Sequence, residues 1–106
     1  MSANLNTSAK AETTTGAVLF PLGQTLITPA AQEAIRDAGQ LPLEFLRRHQ
    51  SGDWGDLCGE DKRENEFSIA NDFRILSKYH TAEGVALYVI TEWDRSSTTI
   101  LLPSEY

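Results

Sequence analysis

A chain of 106 residues amounts to one domain, large enough to bury a core without covalent staples. With 41% apolar and 23% charged residues it has the make-up of an ordinary globular protein. Its net charge of −6 argues against a general nucleic-acid binder, which needs a basic footprint.

The lone Cys58 excludes an intrachain disulfide and fits a reducing cytoplasm, and with only His49 and His80 beside it no structural zinc site is expected. No apolar h-region opens the chain, and no apolar run approaches the roughly 18 residues of a membrane helix. A cytoplasmic location away from membranes is therefore expected.

Residues 1–16 are small, polar and aperiodic, and are read as a disordered tail ahead of a single domain at 17–106. The apolar run 17–27 is broken by Pro21 and Gly23, which limits it to a short edge strand or an apolar lead-in. Thr28-Pro29 supplies a capping hydroxyl and a first-position proline, so a helix is predicted from there to Gly39, with Ala31, Ala34, Ile35 and Ala38 on one face. Pro42 opens a second helix over about 42–50, with Leu43, Leu46 and Phe45 turned inward. Arg47, Arg48 and His49 fall in its last turn, where cations suit the helix dipole.

The stretch Arg47–Leu57 follows no secondary-structure period and reads as the joint between a helical half and a β half. Gly52 ends the helix and Asp53-Trp54-Gly55-Asp56 forms a turn. Trp54 is either a plug at the core edge or an exposed binding anchor, and Asp53 or Asp56 is expected to cap a third helix over about 60–70.

From Phe73 the period changes to two, with Phe73, Ile75 and Tyr79 facing the core and Arg74, Leu76, Lys78 and His80 opposite. A turn at 81–84 leads into 86–93, the most β-prone run, apolar on both faces and hence central. A polar Asx-type turn at 94–97 precedes a last strand, 98–102, closed by Pro103. The expected fold class is α+β: two to three N-terminal helices on a three-stranded antiparallel meander, with room for one short extra edge strand.

The segments LGQTLITPAA (22–31), RHQSGDWGDL (48–57) and ITEWDRSSTTILLPSEY (90–106) resemble a family of small proteins of unknown role carried on bacterial plasmids and integrative elements. The resemblance spans about residues 20–106 and implies a bacterial protein of mobile-element origin; it brings no active residues with it. The layout, with an Arg-His helix end followed by a meander, has a weaker likeness to barnase/RelE-like ribonucleases and toxins, and fold analogy does not establish function.

Three readings follow. The favoured one is a mobile-element accessory protein that acts by binding another protein, with host defence as a target class. Arg47, Asp53, Trp54, Asp56 and Asp94 are its candidate contacts. The acidic stretch 53–66, with Asp53, Asp56, Glu60, Asp61, Glu64 and Glu66 against Lys62 and Arg63, fits a mimic of nucleic-acid charge and equally an ordinary solvated face. The alternative is a metal-free endoribonuclease acting on RNA, with His49 as acid or base and Arg48 or Arg95 as the cation, which requires all three to converge on one phosphate position. The third is a structural or oligomerising module. No P-loop, GxGxxG, HExxH or EF-hand spacing is present, so neither a cofactor nor a metal is expected.

Overall fold

The structure, a computed structural model, describes residues 17–106, so the tail expected over 1–16 lies outside the described residues. In chain order these residues form β1 (Gln24–Ile27), α1 (Pro29–Asp37), α2 (Pro42–Gln50), α3 (Gly59–Asn71), β2 (Ile75–His80), β3 (Ala86–Thr91) and β4 (Ser97–Leu101), then a 3-10 turn at Pro103–Glu105. No described helix is long and apolar enough to cross a membrane.

The helix signals act as the residue chemistry dictates. Thr28 Oγ1 accepts from the Ala31 N–H at 3.2 Å and Pro29 occupies the first position of α1. Gly39, at φ 72°, closes the helix in the left-handed conformation open to glycine. In α2, Phe45, Leu46 and His49 form the buried stripe. Leu43, expected inward, falls off that stripe and stays exposed, because a helix turns by about 100° per residue. Neither Asp53 nor Asp56 caps α3, whose N-cap is Cys58 with no side-chain bond. Both aspartates are engaged elsewhere, as described below.

The sheet order is β1-β4-β3-β2. β2, β3 and β4 make the expected antiparallel meander, with β3 in a central position. The extra strand β1 adds on the far side of β4 in parallel, pairing Gln24 with Ser97 and Ile27 with Ile100. The sheet is therefore mixed, and one strand precedes the helices. Parallel pairing is available because the helices provide the long crossover it needs. The approach is close: a Cβ on Gly23 would lie 2.4 Å from the Ser96 carbonyl oxygen.

The register gives the sheet two unlike faces. Ile75, Ser77 and Tyr79 of β2, Leu87, Val89 and Thr91 of β3, and Thr98 and Ile100 of β4 are all buried. Of these, Tyr79, Leu87, Val89 and Ile100 meet Ala31, Ile35, Phe45 and Leu46 of α1 and α2 in the main core. A second cluster of Phe20, Trp54 and Ile75, with Leu57 and Ile69 against it, fills the end toward α3. Phe73, expected on the inner face of β2, is 54% exposed. The strand begins only at Ile75, after Asp72 has ended α3 in left-handed conformation and reset the direction of the chain.

Candidate functional site

The Arg47–Leu57 stretch resolves into three chemically different parts. His49, on the inner stripe of α2, is fully buried. Its Nδ1 lies 2.6 Å from Ser77 Oγ and its Nε2 2.9 Å from Thr91 Oγ1. Thr91 Oγ1 is 2.7 Å from Thr98 Oγ1, and the Thr98 hydroxyl donates to the Leu22 carbonyl at 2.8 Å. A hydroxyl has one proton, so the chain has one direction. Thr98 donates to Leu22, Thr91 to Thr98, and His49 Nε2–H to Thr91, which leaves Nδ1 to accept from Ser77. Burial pushes the imidazole down to about 3, so His49 is neutral inside the fold. Phe20 and Trp54 close over it, each meeting the ring edge to face.

Trp54 is the core plug of the two alternatives. It is buried, with its indole N–H donated to Glu66 Oε2 at 3.1 Å, which removes it as an exposed anchor. Tyr79, also inward, donates its hydroxyl to the Asp53 carbonyl, and burial holds its phenol above the usual range.

The remaining residues of the stretch close the outer edge of β2. The Lys78 N–H donates to the Trp54 carbonyl and the Asp56 N–H to the Lys78 carbonyl, at 3.2 and 2.7 Å. The Asn65 side-chain amide does the same for Leu76, donating to its carbonyl at 2.6 Å and accepting its N–H at 3.1 Å. Side chains pin this arrangement from outside. Arg48 Nε donates to Asp53 Oδ2 at 2.7 Å while its guanidinium lies 4.4 Å from the centre of the Tyr79 ring. That bond holds the Asp53 carboxyl below its usual range and raises Arg48. Asp53 Oδ1 accepts the Gly55 N–H, and Asp56 pairs with His80 Nδ1 at 2.7 Å. Arg47 stands apart, exposed with Leu41, Leu43 and Glu44 around a shallow cavity of about 320 Å³.

Arg95 lies elsewhere. It takes the left-handed position of the β3–β4 turn, φ 61°, where glycine is the usual occupant. Its Nη1 donates to the carbonyls of Phe73 (2.7 Å), Glu92 (3.1 Å) and Trp93 (3.1 Å), and its Nη2 to that of Ser68 (2.9 Å). Glu92 pairs its side chain with Arg74 instead. Asp94 forms the expected Asx turn, accepting the Ser96 N–H at 3.0 Å, and the bonds from Ser96 hold its carboxyl below the usual range. His49, Arg48 and Arg95 are each engaged with different partners. The first bonds to hydroxyls in the core, the second to a surface aspartate and the third to backbone carbonyls.

What Arg95 does assemble is a corner that the sequence did not single out. It ties the 92–93 turn to the end of α3, and at this corner Phe67, Phe73 and Trp93 are 59%, 54% and 62% exposed. Phe67 and Phe73 stack with centroids 5.8 Å apart and ring planes at 15°. Trp93, Asp72, Asp94 and Arg95 line a cavity of about 210 Å³. Among the described residues no group of three or more His, Cys, Asp or Glu side chains is placed to hold a metal ion.

Comparison with protein-family models, with curated proteins and with solved structures finds no match to the chain.

Proposed function

We propose that this chain is a mobile-element accessory protein of bacteria that acts by binding another protein, and that the corner of Phe67, Phe73 and Trp93 is its contact surface. The observation that carries the reading is the exposure of three large aromatic side chains on a framework that Arg95 fixes through four backbone carbonyls. Exposed aromatics cost solubility when they have no use, and rigid aromatic anchors dominate binding energy at protein interfaces. The resemblance of 22–31, 48–57 and 90–106 to mobile-element proteins supplies the biological setting, with a host defence protein as the target class.

The test is affinity capture from bacterial lysate with the wild-type chain, Trp93→Ala and the pair Phe67→Ala/Phe73→Ala. The expected result is a specific protein retained by the wild type and lost by the variants, whose melting temperatures stay close to wild type because the side chains are on the surface. Retention of the same protein by all three, or of none by the wild type, counts against the reading. The ribonuclease alternative draws no comparable support, since both ring nitrogens of His49 are engaged inside the core.

A further inference from the structure

The two edges of the sheet are treated differently. The β2 edge is occupied by the 54–56 backbone and the Asn65 amide. The β1 edge is open. In β1 the N–H groups of Gln24 and Thr28 donate to the carbonyls of Ser96 and Ile100 on the β4 side. Backbone groups of successive residues point to opposite sides of a strand, so those of Thr25 and Ile27 point out of the sheet. Among the described residues no hydrogen bond reaches them. Gln24, Thr25 and Leu26 are exposed, and Leu26 stands on the opposite sheet face from Ile27, which packs on the core. An edge without a charge, a proline or a covering segment takes up another strand when one is offered.

Two observations select the strand. The first is charge. The whole chain carries −6, so one copy repels another over most of its surface. Residues 17–32, which contain β1, hold no charged side chain. A second copy that approaches this edge with its own edge therefore brings no charge into the contact. The second is symmetry. When two copies of β1 run antiparallel with Leu26 opposite Leu26, Thr25 of each lies opposite Ile27 of the other, and each outward N–H meets an outward C=O. Gly23, at φ 66°, breaks the strand before this ladder, and Pro29 has no N–H to extend it. The Leu26 side chains meet on the axis on one face, and on the other Ile27 lies against Thr25, a pair of branched residues suited to cross-strand contact. We propose that β1 is a self-association edge that joins two copies of this chain, antiparallel about Leu26, into one continuous sheet. The occupied β2 edge limits growth to a closed pair. This edge shares no residue with the aromatic corner and does not depend on the protein-binding reading.

The full chain is followed by sedimentation velocity and by amide hydrogen exchange from about 10 μM to about 1 mM, since a ladder this short gives a weak pair. The expected result is a mass that rises from 11.7 kDa toward twice that value. Exchange at the Thr25 and Ile27 amides should slow by about tenfold at the upper end. The Gln24 amide, already bonded to the Ser96 carbonyl, should change little. Thr25→Pro removes the outward N–H and keeps the bonds to β4, because an edge strand tolerates proline where its N–H faces solvent. Leu26→Lys puts like charges on the axis. Both variants should stay monomeric at every concentration, with melting temperatures close to that of the dilute wild type. A wild type that stays monomeric throughout, or a pair that survives in Thr25→Pro, overturns the assignment. So does a mass that climbs past the pair. Protection of Thr25 and Ile27 that does not change on dilution gives the edge to residues 1–16 of the same chain, and the second copy falls. A pair lost in Trp93→Ala and kept in Thr25→Pro moves the contact to the aromatic corner and removes β1 from it.

Discussion

His49 shows how one residue type can be right for chemistry and yet be used for architecture. Its two nitrogens join α2 to β2 and β3, and the hydroxyl relay carries on through Thr98 to the Leu22 carbonyl. The neutral form is the one the fold holds, with burial pushing the imidazole down to about 3. The unfolded chain takes up its proton as pH falls through about 6.5, whereas the folded chain resists down to about 3, so stability is lost across that window as pH falls. Urea unfolding between pH 7 and about 5 should show a decline approaching roughly 1.4 kcal/mol per pH unit at its lower end, largely above the range where carboxylates contribute. In His49→Gln the decline should flatten, and a variant that keeps the wild-type slope would assign the effect elsewhere.

Arg95 is the second case at this scale. Arg95→Ala keeps the left-handed strain and loses the four carbonyl bonds; Arg95→Gly loses the bonds but relieves the strain. Both should be less stable than wild type in denaturant melts, with the glycine variant the better of the two by about 1 kcal/mol. Equal stabilities would mean that the turn relaxes without its arginine.

At the scale of elements, the joint after α2 works as an edge guard for β2. An exposed strand edge invites pairing with other chains, and here a parallel bridge from 54–56 and the Asn65 amide occupy it. Gly55 makes the approach possible, since a Cβ there would stand 2.0 Å from the Lys78 carbonyl oxygen on a backbone already at φ 75°. Gly55→Ala should therefore cost about 2 kcal/mol or more and speed hydrogen exchange at the Lys78 amide. Asn65→Ala should cost about 1–3 kcal/mol by leaving both Leu76 backbone groups unpaired, with faster exchange at the Leu76 amide. Unchanged exchange at both amides would show that neither device protects the edge.

At the scale of the whole molecule, helices cover one face of a mixed sheet, and the exposed aromatic corner is built where α3 ends and β3 turns into β4. No single element presents it: Phe67 comes from α3, Phe73 from the link to β2, and Trp93 from the turn after β3. Arg95 holds the three segments in one place, so it is a positioning residue for any binding that uses them. Arg95→Gly should weaken partner capture even though it touches no partner, and an undiminished capture would detach the corner from its framework. β1 is the other feature decided at this scale. Its pairing depends on Gly23, and Gly23→Val should release the 22–27 segment and lower the melting temperature by several degrees.

Helix and strand placement was legible in the residues because its causes are local. The cap at Thr28-Pro29, the proline at 42, the glycine at 39, the change of period read from Phe73 (the strand starts at Ile75) and the density of branched and aromatic residues at 86–93 (the strand ends at Thr91) each act within a few positions of where they stand. The α+β class and the central place of β3 followed from them. What local chemistry could not state was which distant residues would share an atom's reach. The parallel sense of β1, the hydroxyls waiting for His49 at Ser77 and Thr91, the pairing of Asp56 with His80, and the placing of Trp93 at the corner of Phe67 and Phe73 all join residues far apart in the chain. Polar residues at inward strand positions (Ser77, Thr91 and Thr98) did carry a clue, since each needs a buried partner. His49 was expected only as a last-turn cation, yet the helical period also sets it one turn beyond Phe45 on the same face. Only the packing of α2 against the sheet turned that clue into a closed network, and only the tie made by Arg95 turned three scattered aromatics into a surface.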